Sequence, residues 1–559
     1  MKHIYLFITI AMRFSADTVK AQWNGNPAIA GNPVSRALFS ETKPRCISDG
    51  AGGMLCIWSG NGGFYAQRKT SSGAIVWSAI DKPIQILSGI NGNIFDMIPD
   101  GGGGAYVSIQ QNTTDTTTNI YVQHLKNDGT LPYGPFGIRV NPLNNHYNTD
   151  PKICCDATGI IVTWGEEIRN NATFPPTYLY AQVYAQRYDP SGVPQWGSNG
   201  MQVSTAPGYK NTPEIISDDN GGAFIAFTDY RNADLRYVYA YYNLDIYAQH
   251  ISKTGSRLWG TTDLVISNDS SNQNVYVNYY PHPAKSMISD SAGGFIIVYA
   301  NDFSNPALFA QRVNATGQLL FGKGVLLSSA KLNERPYLNI VSDGEGGVVA
   351  CWGEWVNSQN NYVRAQRVSS TGGLVWGASP VIVCPVADEN FNHDEIGMAR
   401  DNLRNVFITW HSGPFGTNMV RAQKLNNAGV PQWASAIDIC TNQDANPSFV
   451  SLAPGDNNSM IAVWQDSRNQ ATSGSDIYAI KILSNGNLAD NPAQAFFTTT
   501  NGNWNDPSVW TSGQVPDANA DVVVRNQITV TVDAACNSLS VQQPGKITIA
   551  PGVSFDIKH

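Results

Sequence analysis

The chain has 559 residues, a formal net charge of -8, 14% charged residues, 10% aromatics and 51 glycines. Long runs of Ala, Glu, Lys and Leu are absent, which excludes a helical bundle and fits a turn-rich, extracellular all-β protein. The mild acidity argues against nucleic acid as a partner, since phosphate recognition needs a basic face.

The N-terminus, "MKHIYLFITIAMRFSADTVKAQW", places Lys2 and His3 before a short apolar run, Ile4 to Met12, which Arg13 interrupts. Val19-Lys20-Ala21 offers small residues for cleavage before Gln22, so residues 1–21 are expected to be a secretory signal peptide. No later apolar stretch reaches the ~18 residues of a membrane span. The expectation is a secreted or cell-surface protein with no transmembrane segment.

From "YAQRKTSSGAIVW" (65–77) onward the chain repeats itself. A glutamine recurs as Gln67, Gln123, Gln186, Gln249, Gln311, Gln366 and Gln423, with Ile480 in the eighth slot. Six residues later stands a glycine in all eight copies, from Gly73 to Gly486, at a mean pitch of 59 residues. Four residues beyond comes an aromatic: Trp77, Tyr133, Trp196, Trp259, Phe321, Trp376 and Trp433, with Asp490 breaking the rule. Upstream of each glutamine lies "SDGAGG" (48–53) or a relative, a glycine-rich turn between two apolar runs, which reads as a β-hairpin. Each unit therefore supplies four short strands.

Eight such units predict an eight-bladed β-propeller over residues 22–492 rather than an open solenoid. One wide ring per unit would dock into the next blade. The glycine would free its turn for positive φ, and the glutamine would bond backbone in the seam between blades. "VKAQWNGNPAIAGNP" (19–33) is similar to "GVPQWGSNGMQVSTAP" (192–207), so Trp23 is expected to supply the outer-strand aromatic of the last blade and close the ring.

The pattern "YAQRKTSSGAIVW" resembles the tryptophan-docking repeat of quinoprotein propellers. "FTDYRN…DIYAQH" (227–250) and "WQDSRN…DIYAIK" (464–481) resemble, over about residues 20–490, a repeat of secreted Bacteroidota proteins. These resemblances imply a fold and carry little about activity. From residue 493 to 559, "TTTNGNWNDPSVWTSGQVP…" is similar to β modules of Bacteroidota surface proteins carried by type IX secretion, and implies a small β-sandwich or β-solenoid-like domain.

Enzyme motifs such as G-x-S-x-G, H-E-x-x-H and the P-loop are missing from the sequence. His124 and His250 fill the basic slot after the glutamine and read as repeat residues. Cys154-Cys155 invites comparison with the adjacent-cysteine disulfide of quinoprotein alcohol dehydrogenases, but neighbouring strand residues point to opposite faces. Cys46 and Cys56 flank the first hairpin turn symmetrically, so a disulfide and two buried thiols both fit. Asp229, Asp245, Asp466 and Asp476 belong to "D-x-R-N…D-I-Y" loops; they could hold calcium, or an Asp–Arg pair could fix the loop. No other cofactor is expected. Blades three to five carry longer, tyrosine-rich insertions with Tyr230, Tyr237, Tyr239, Tyr242, Tyr279 and Tyr280, rings suited to an extracellular glycan or protein. The expected function is binding or adhesion. The alternatives are a carbohydrate-active hydrolase or lyase and a structural spacer.

Overall fold

The computed structural model describes residue 23 and residues 32–557, except 78, 81, 115–116, 143, 145, 171–176, 233–243, 270–272, 275–284, 302–306, 330–337, 358–359, 384–395, 413–418, 490–495, 511–514, 517–520, 537 and 543. Strands dominate, in eight antiparallel sheets of four strands, the fifth sheet carrying its first strand in two pieces. Sheet one runs Thr42–Ser48, Met54–Gly60, Gly63–Lys69, Ile84–Ser88. The first strands of the eight sheets, from Thr42–Ser48 round to Ser448–Pro454, each touch both neighbours and return to the start, so the sheets form a closed eight-bladed β-propeller.

The "SDGAGG" stretches are the turns between first and second strands. The Asp49 carboxylate accepts from the backbone N–H of Ala51 at 2.9 Å and of Gly53 at 2.8 Å. Its other oxygen takes the Arg68 guanidinium from the third strand at 2.9 Å. The pairing recurs as His124–Asp100, His250–Asp218, Arg312–Asp290, Arg367–Asp343, Lys424–Asp401 and Lys481–Asp456. In these seven blades the basic residue of the third strand thus faces the turn aspartate of its own blade, whereas Arg187 of blade three bonds Thr158 and the Gly221 carbonyl.

The glutamines act differently from the expectation. Most bond within their own blade rather than across the seam. Gln186 donates to the Gly197 carbonyl at 2.6 Å and accepts from the Trp196 N–H at 3.0 Å. Gln249, Gln311 and Gln366 repeat both bonds to the segment carrying Trp259, Phe321 and Trp376, and Gln423 grips Trp433 by its N–H and carbonyl. Gln67 accepts from the Trp77 N–H, and Gln123 bonds Gly134 and also reaches Ile86 in the preceding blade. The amide thus fixes the backbone that aims the aromatic ring.

Each ring lies on the repeat glycine of the next blade. All eight glycines hold positive φ, and a Cβ on any of them would come within 3.3 Å of the ring: Trp23 on Gly73, Trp77 on Gly129, Tyr133 on Gly192, Trp196 on Gly255, Trp259 on Gly317, Phe321 on Gly372, Trp376 on Gly429, Trp433 on Gly486. Glycine is therefore required twice at this slot, by the turn and by the ring.

Closure uses both chain ends. The last blade pairs Asp476–Ile482 with Asn32–Ser35 as its outer strand. The closing strand starts nine residues after Trp23, so Trp23 is not itself on it. Trp23 is 1% exposed, and its indole donates to the Ser71 carbonyl at 2.9 Å, as Trp77 does to Asn127. Lys69 of blade one donates to the Pro33 carbonyl at 3.2 Å, and burial lowers its pKa to about 8.

After residue 493 the pairing becomes parallel. Phe496–Phe497, Asp521–Val524 and Ser538–Val541 form one sheet, Gly502–Asn503, Gln527–Val530 and Lys546–Ile549 a second, and Ala534–Cys536 with Phe555–Ile557 a third. Val522, Val524, Ile528, Val530 and Cys536 are buried between them.

Candidate functional site

The two ends of the ring differ. One carries the "SDGAGG" turns and the turns holding the repeat glycines. The other carries the loops between second and third strands and the connections from one blade to the next. The strands that flank the insertion of blade four, Ala223–Asp229 and Asp245–Ile251, meet this end.

Tyr237, Tyr239, Tyr242, Tyr279 and Tyr280 lie outside the described residues. Tyr230 is 8% exposed, and its hydroxyl accepts from the Asn211 amide at 3.0 Å. This tyrosine is packed into the blade. On the same end, blade three brings together groups that the repeat pattern did not single out. His146 bonds the Glu166 carboxylate through Nδ1 at 2.8 Å, and Asn144 meets the same nitrogen at 3.1 Å. The imidazole side chain is 28% exposed while that of Glu166 is 8% exposed. Strand register sets Glu166 on the same face as Trp164 and its partner Tyr184, and Ile168 and its partner Tyr180 share that face. The Tyr180 and Tyr184 hydroxyls are 2.7 Å apart, and both rings are half-buried. Burial, the Tyr184 hydroxyl and the Glu166 charge all raise the Tyr180 pKa.

The four aspartates of the "D-x-R-N…D-I-Y" loops are directly opposed in pairs, Asp229 to Asp245 and Asp466 to Asp476, and all are fully buried. Arg231 bonds Asp229 at 2.6 Å and stacks on the Tyr247 ring at 3.7 Å. Arg468 does the same with Asp466 and Tyr478. Asn232 donates to Asp245 and Asn469 to Asp476, both at 2.7 Å, and burial raises the pKa of each of these two carboxyls. The carboxylates are thus engaged in fixing the loops. Among the described residues no group of three or more His, Cys, Asp or Glu side chains is arranged to hold a metal ion.

The slot four residues before each turn aspartate forms a belt round the channel. It holds Arg45, Asp96, Lys152 and Glu214 in blades one to four, alternating in sign, then Ser286, Asn339 and Gly397; the matching residue of blade eight is Ser451. Lys152 bonds Glu214 at 2.7 Å, with both side chains nearly buried. Burial opposes both charges. Glu214 and Asp96 outweigh it at Lys152, whose pKa is raised; at Glu214 burial still wins, and the carboxyl stays above its usual range. Asp96 accepts from the Ile153 N–H at 3.1 Å, and Ser451 from the Cys46 N–H at 3.1 Å, so the belt also ties inner strands together. Aligning the repeats on their turn aspartate would have revealed this alternation from sequence.

Cys154 and Cys155 pair with Ile161 and Ile160 of the second strand, and both thiols are free. Cys155 donates weakly to the Pro99 carbonyl. Cys46 and Cys56 are directly opposed, buried and free, with the Cys46 thiol bonded to Ser451 Oγ. Burial pushes the Cys46 pKa up to about 12.

No protein-family model matches the chain, and no curated protein matches it by sequence. Among solved structures it is similar to a Dyadobacter fermentans protein of unknown function, at 10% identity over 61% of this chain and 95% of that one, with a TM-score of 0.34. It is also similar to an oligogalacturonate lyase from Vibrio parahaemolyticus (7% identity, 81% and 92% coverage, TM-score 0.36). A third is an α-L-arabinanase from Penicillium chrysogenum complexed with arabinobiose (14% identity, 62% and 99% coverage, TM-score 0.32). Identities this low leave activity to be argued from this chain's own residues.

Proposed function

We propose that the protein is a secreted or surface-held recognition protein that holds an extracellular glycan or protein partner on the connection end of its ring, over blades three to five. The observation that carries this reading is the unequal use of the two ends. On the turn end, the repeated charges are paired off inside the blades, as Arg68 is with Asp49. On the connection end, blade three departs from the repeat and sets Tyr180 and Tyr184 hydroxyl to hydroxyl beside Glu166 and a partly exposed His146. A half-buried tyrosine offers a flat ring and a hydroxyl at low entropic cost, which suits sugars and polar protein surfaces. Export rests on the signal-like residues 1–21 and the low charge; no helix among the described residues is long and apolar enough to cross a membrane. The test is a glycan array and a cell-adhesion assay with wild type, Y180S/Y184S, and a variant with Tyr237, Tyr239, Tyr242, Tyr279 and Tyr280 changed to serine. Binding by the wild type, lost in both variants with unchanged circular dichroism, supports the reading. Full binding by both variants sinks it.

A second reading, a carbohydrate-active hydrolase or lyase, draws on the His146–Glu166 pair, since a buried carboxylate orienting a partly exposed imidazole can serve general acid–base catalysis. Release of reducing or unsaturated sugar ends from a polysaccharide panel, abolished in E166Q, would favour it over simple binding. A chain that neither binds nor cleaves in these assays would be left with the spacer role.

A further inference from the structure

A cleft of about 680 Å³ opens on the turn end of the ring, at the seam between blades one and two. That volume falls within the ~300–1,000 Å³ of small-ligand sites. Blade one lines it with Arg68, Val76 and Trp77, blade two with Gly102 and the Lys126 to Asp128 turn. Gly102 keeps it open. In six blades the first turn closes from an aspartate to the residue four on, and in blade two alone is the residue two after that aspartate a glycine. The others carry Ala51, Asn220, Ala292, Glu345 and Leu403 there. Neither the backbone nor packing asks for glycine at this position. Gly101 and Gly103 hold positive φ and Gly102 does not, and a Cβ on Gly102 would meet only the Asp100 carboxylate, at an ordinary 3.5 Å. The missing side chain leaves space at the mouth of the seam.

Donors and acceptors are left over around that space. Arg68 gives Nε and Nη2 to Asp49 Oδ2, at 3.0 and 2.9 Å, and its Nη1 has no partner among the described residues. At other seams this arm crosses to the next blade: Arg312 Nη1 donates to the Ser370 carbonyl at 2.6 Å, and Arg367 Nη1 to the Asn427 carbonyl at 3.2 Å. Lys126 is exposed, and its amine makes no hydrogen bond among the described residues. The Asn127 side-chain oxygen is buried without a partner. Asp128 is exposed and holds the Thr130 N–H and hydroxyl through Oδ1, at 2.9 and 2.7 Å. Val76 is 40% exposed, and the half-buried Trp77, whose indole N–H is taken by the Asn127 carbonyl, adds an aromatic wall.

We propose that this cleft is a second binding site, taking one or two rings of a neutral saccharide. A sugar hydroxyl donates and accepts at once, so it can join the Lys126 amine or the free Arg68 arm to the Asp128 carboxylate, and a hydroxyl hydrogen suits Asn127 Oδ1. The C–H face of the sugar covers Trp77 and Val76. An acidic sugar is disfavoured, because the Asp100 and Asp128 carboxylates both line the cleft and repel it. A purely apolar ligand would leave the cationic donors desolvated and unpaired. The site stands on the opposite end of the ring from Tyr180 and Tyr184 and does not rest on the reading of that end. Two sites on one ring would hold two stretches of a polysaccharide and raise avidity.

Isothermal titration calorimetry of the whole chain with maltotriose, galactotriose and mannotriose, and with trigalacturonic acid as the acidic counterpart, decides the matter. The wild type should bind at least one neutral trisaccharide, and the acid more weakly. G102L puts into the cleft the side chain that blade seven carries as Leu403, and K126A alters an exposed side chain. Each should weaken binding by about tenfold or more, with near-ultraviolet circular dichroism unchanged. Y180S/Y184S should bind the same sugar as the wild type does. Should G102L lose its near-ultraviolet spectrum, K126A alone decides. No binding of any neutral trisaccharide by the wild type overturns the proposal, as does undiminished binding by either folded variant or tighter binding of the acid. A loss in Y180S/Y184S also overturns it, because the sugar would then sit on the connection end.

Discussion

The Trp23 ring lies across Gly73, and its indole N–H reaches the Ser71 carbonyl at 2.9 Å, joining the first described residue to a turn of blade one. Seven other seams place an aromatic on a glycine in the same way, but this one also closes the ring. Replacing Trp23 by alanine should destabilise the protein by about 3–5 kcal/mol, the usual range for emptying a large buried aromatic. W77A, at an internal seam, should cost less because Trp77 is less buried. Urea midpoints of the two variants test the order, and an unchanged midpoint for W23A would remove Trp23 from the closure.

Gly429 and Gly62 separate the two demands made on glycine. Both hold positive φ, 77° and 71°. A Cβ at Gly429 would lie 2.6 Å from the Trp376 ring, whereas at Gly62 it would meet nothing within 4 Å. G62A should cost only the left-handed penalty, about 1–2 kcal/mol. G429A should cost clearly more and quench or shift tryptophan fluorescence. Equal losses would mean the ring yields freely.

Glu41 links stability to pH. It is fully buried, accepts from Ser35 Oγ at 2.6 Å and Trp58 Nε1 at 2.9 Å, and burial, with Asp476 nearby, raises its pKa from 4.5 to about 7. The folded state then binds the proton more tightly than the unfolded one. Stability from this group is greatest below about pH 4.5 and falls as the pH rises to about 7, by roughly 3 kcal/mol. E41Q should flatten this slope. A melting temperature whose dependence on pH between 5 and 8 matches in wild type and variant would refute the assignment.

Lys152 and Glu214 should be stable only together. K152M strands a buried carboxylate and should cost about 3–5 kcal/mol, while K152M/E214L should recover most of it. Additive losses in a double-mutant cycle would show that the two side chains are not coupled.

The Cys46–Cys56 pair should carry free thiols. The two residues are opposed in register, but the Cys46 sulfur is bonded to Ser451. All 8 cysteines should react with a thiol reagent after denaturation without reductant. A count lower by two that maps to these positions would show a bridge.

The hairpins were legible in the sequence because their geometry is local. An aspartate whose side chain accepts from N–H groups two and four residues on, and a basic residue facing it from the third strand, are fixed by turn type and register. The recurrence of the glycine in every unit, at a mean pitch of 59 residues, pointed to eight blades for the same reason. What each repeat residue touches across a seam depended on the closed ring. The likeness of residues 19–33 to 192–207 pointed to closure by the N-terminal segment, but the strand that closes the ring, Asn32–Ser35, and its register against Ile477 to Ala479 were fixed only by the fold. The sequence assigned the glutamines to the seam, whereas the folded blade turns most of them inward to hold the backbone of the aromatic. Glu166, a strand residue beside another glutamate, acquired its meaning only when the chain brought His146 and Tyr180 close to it. Periodicity determines which backbone repeats; burial and the partner across each seam are properties of the assembled ring, where side chains distant in sequence compete for the same space.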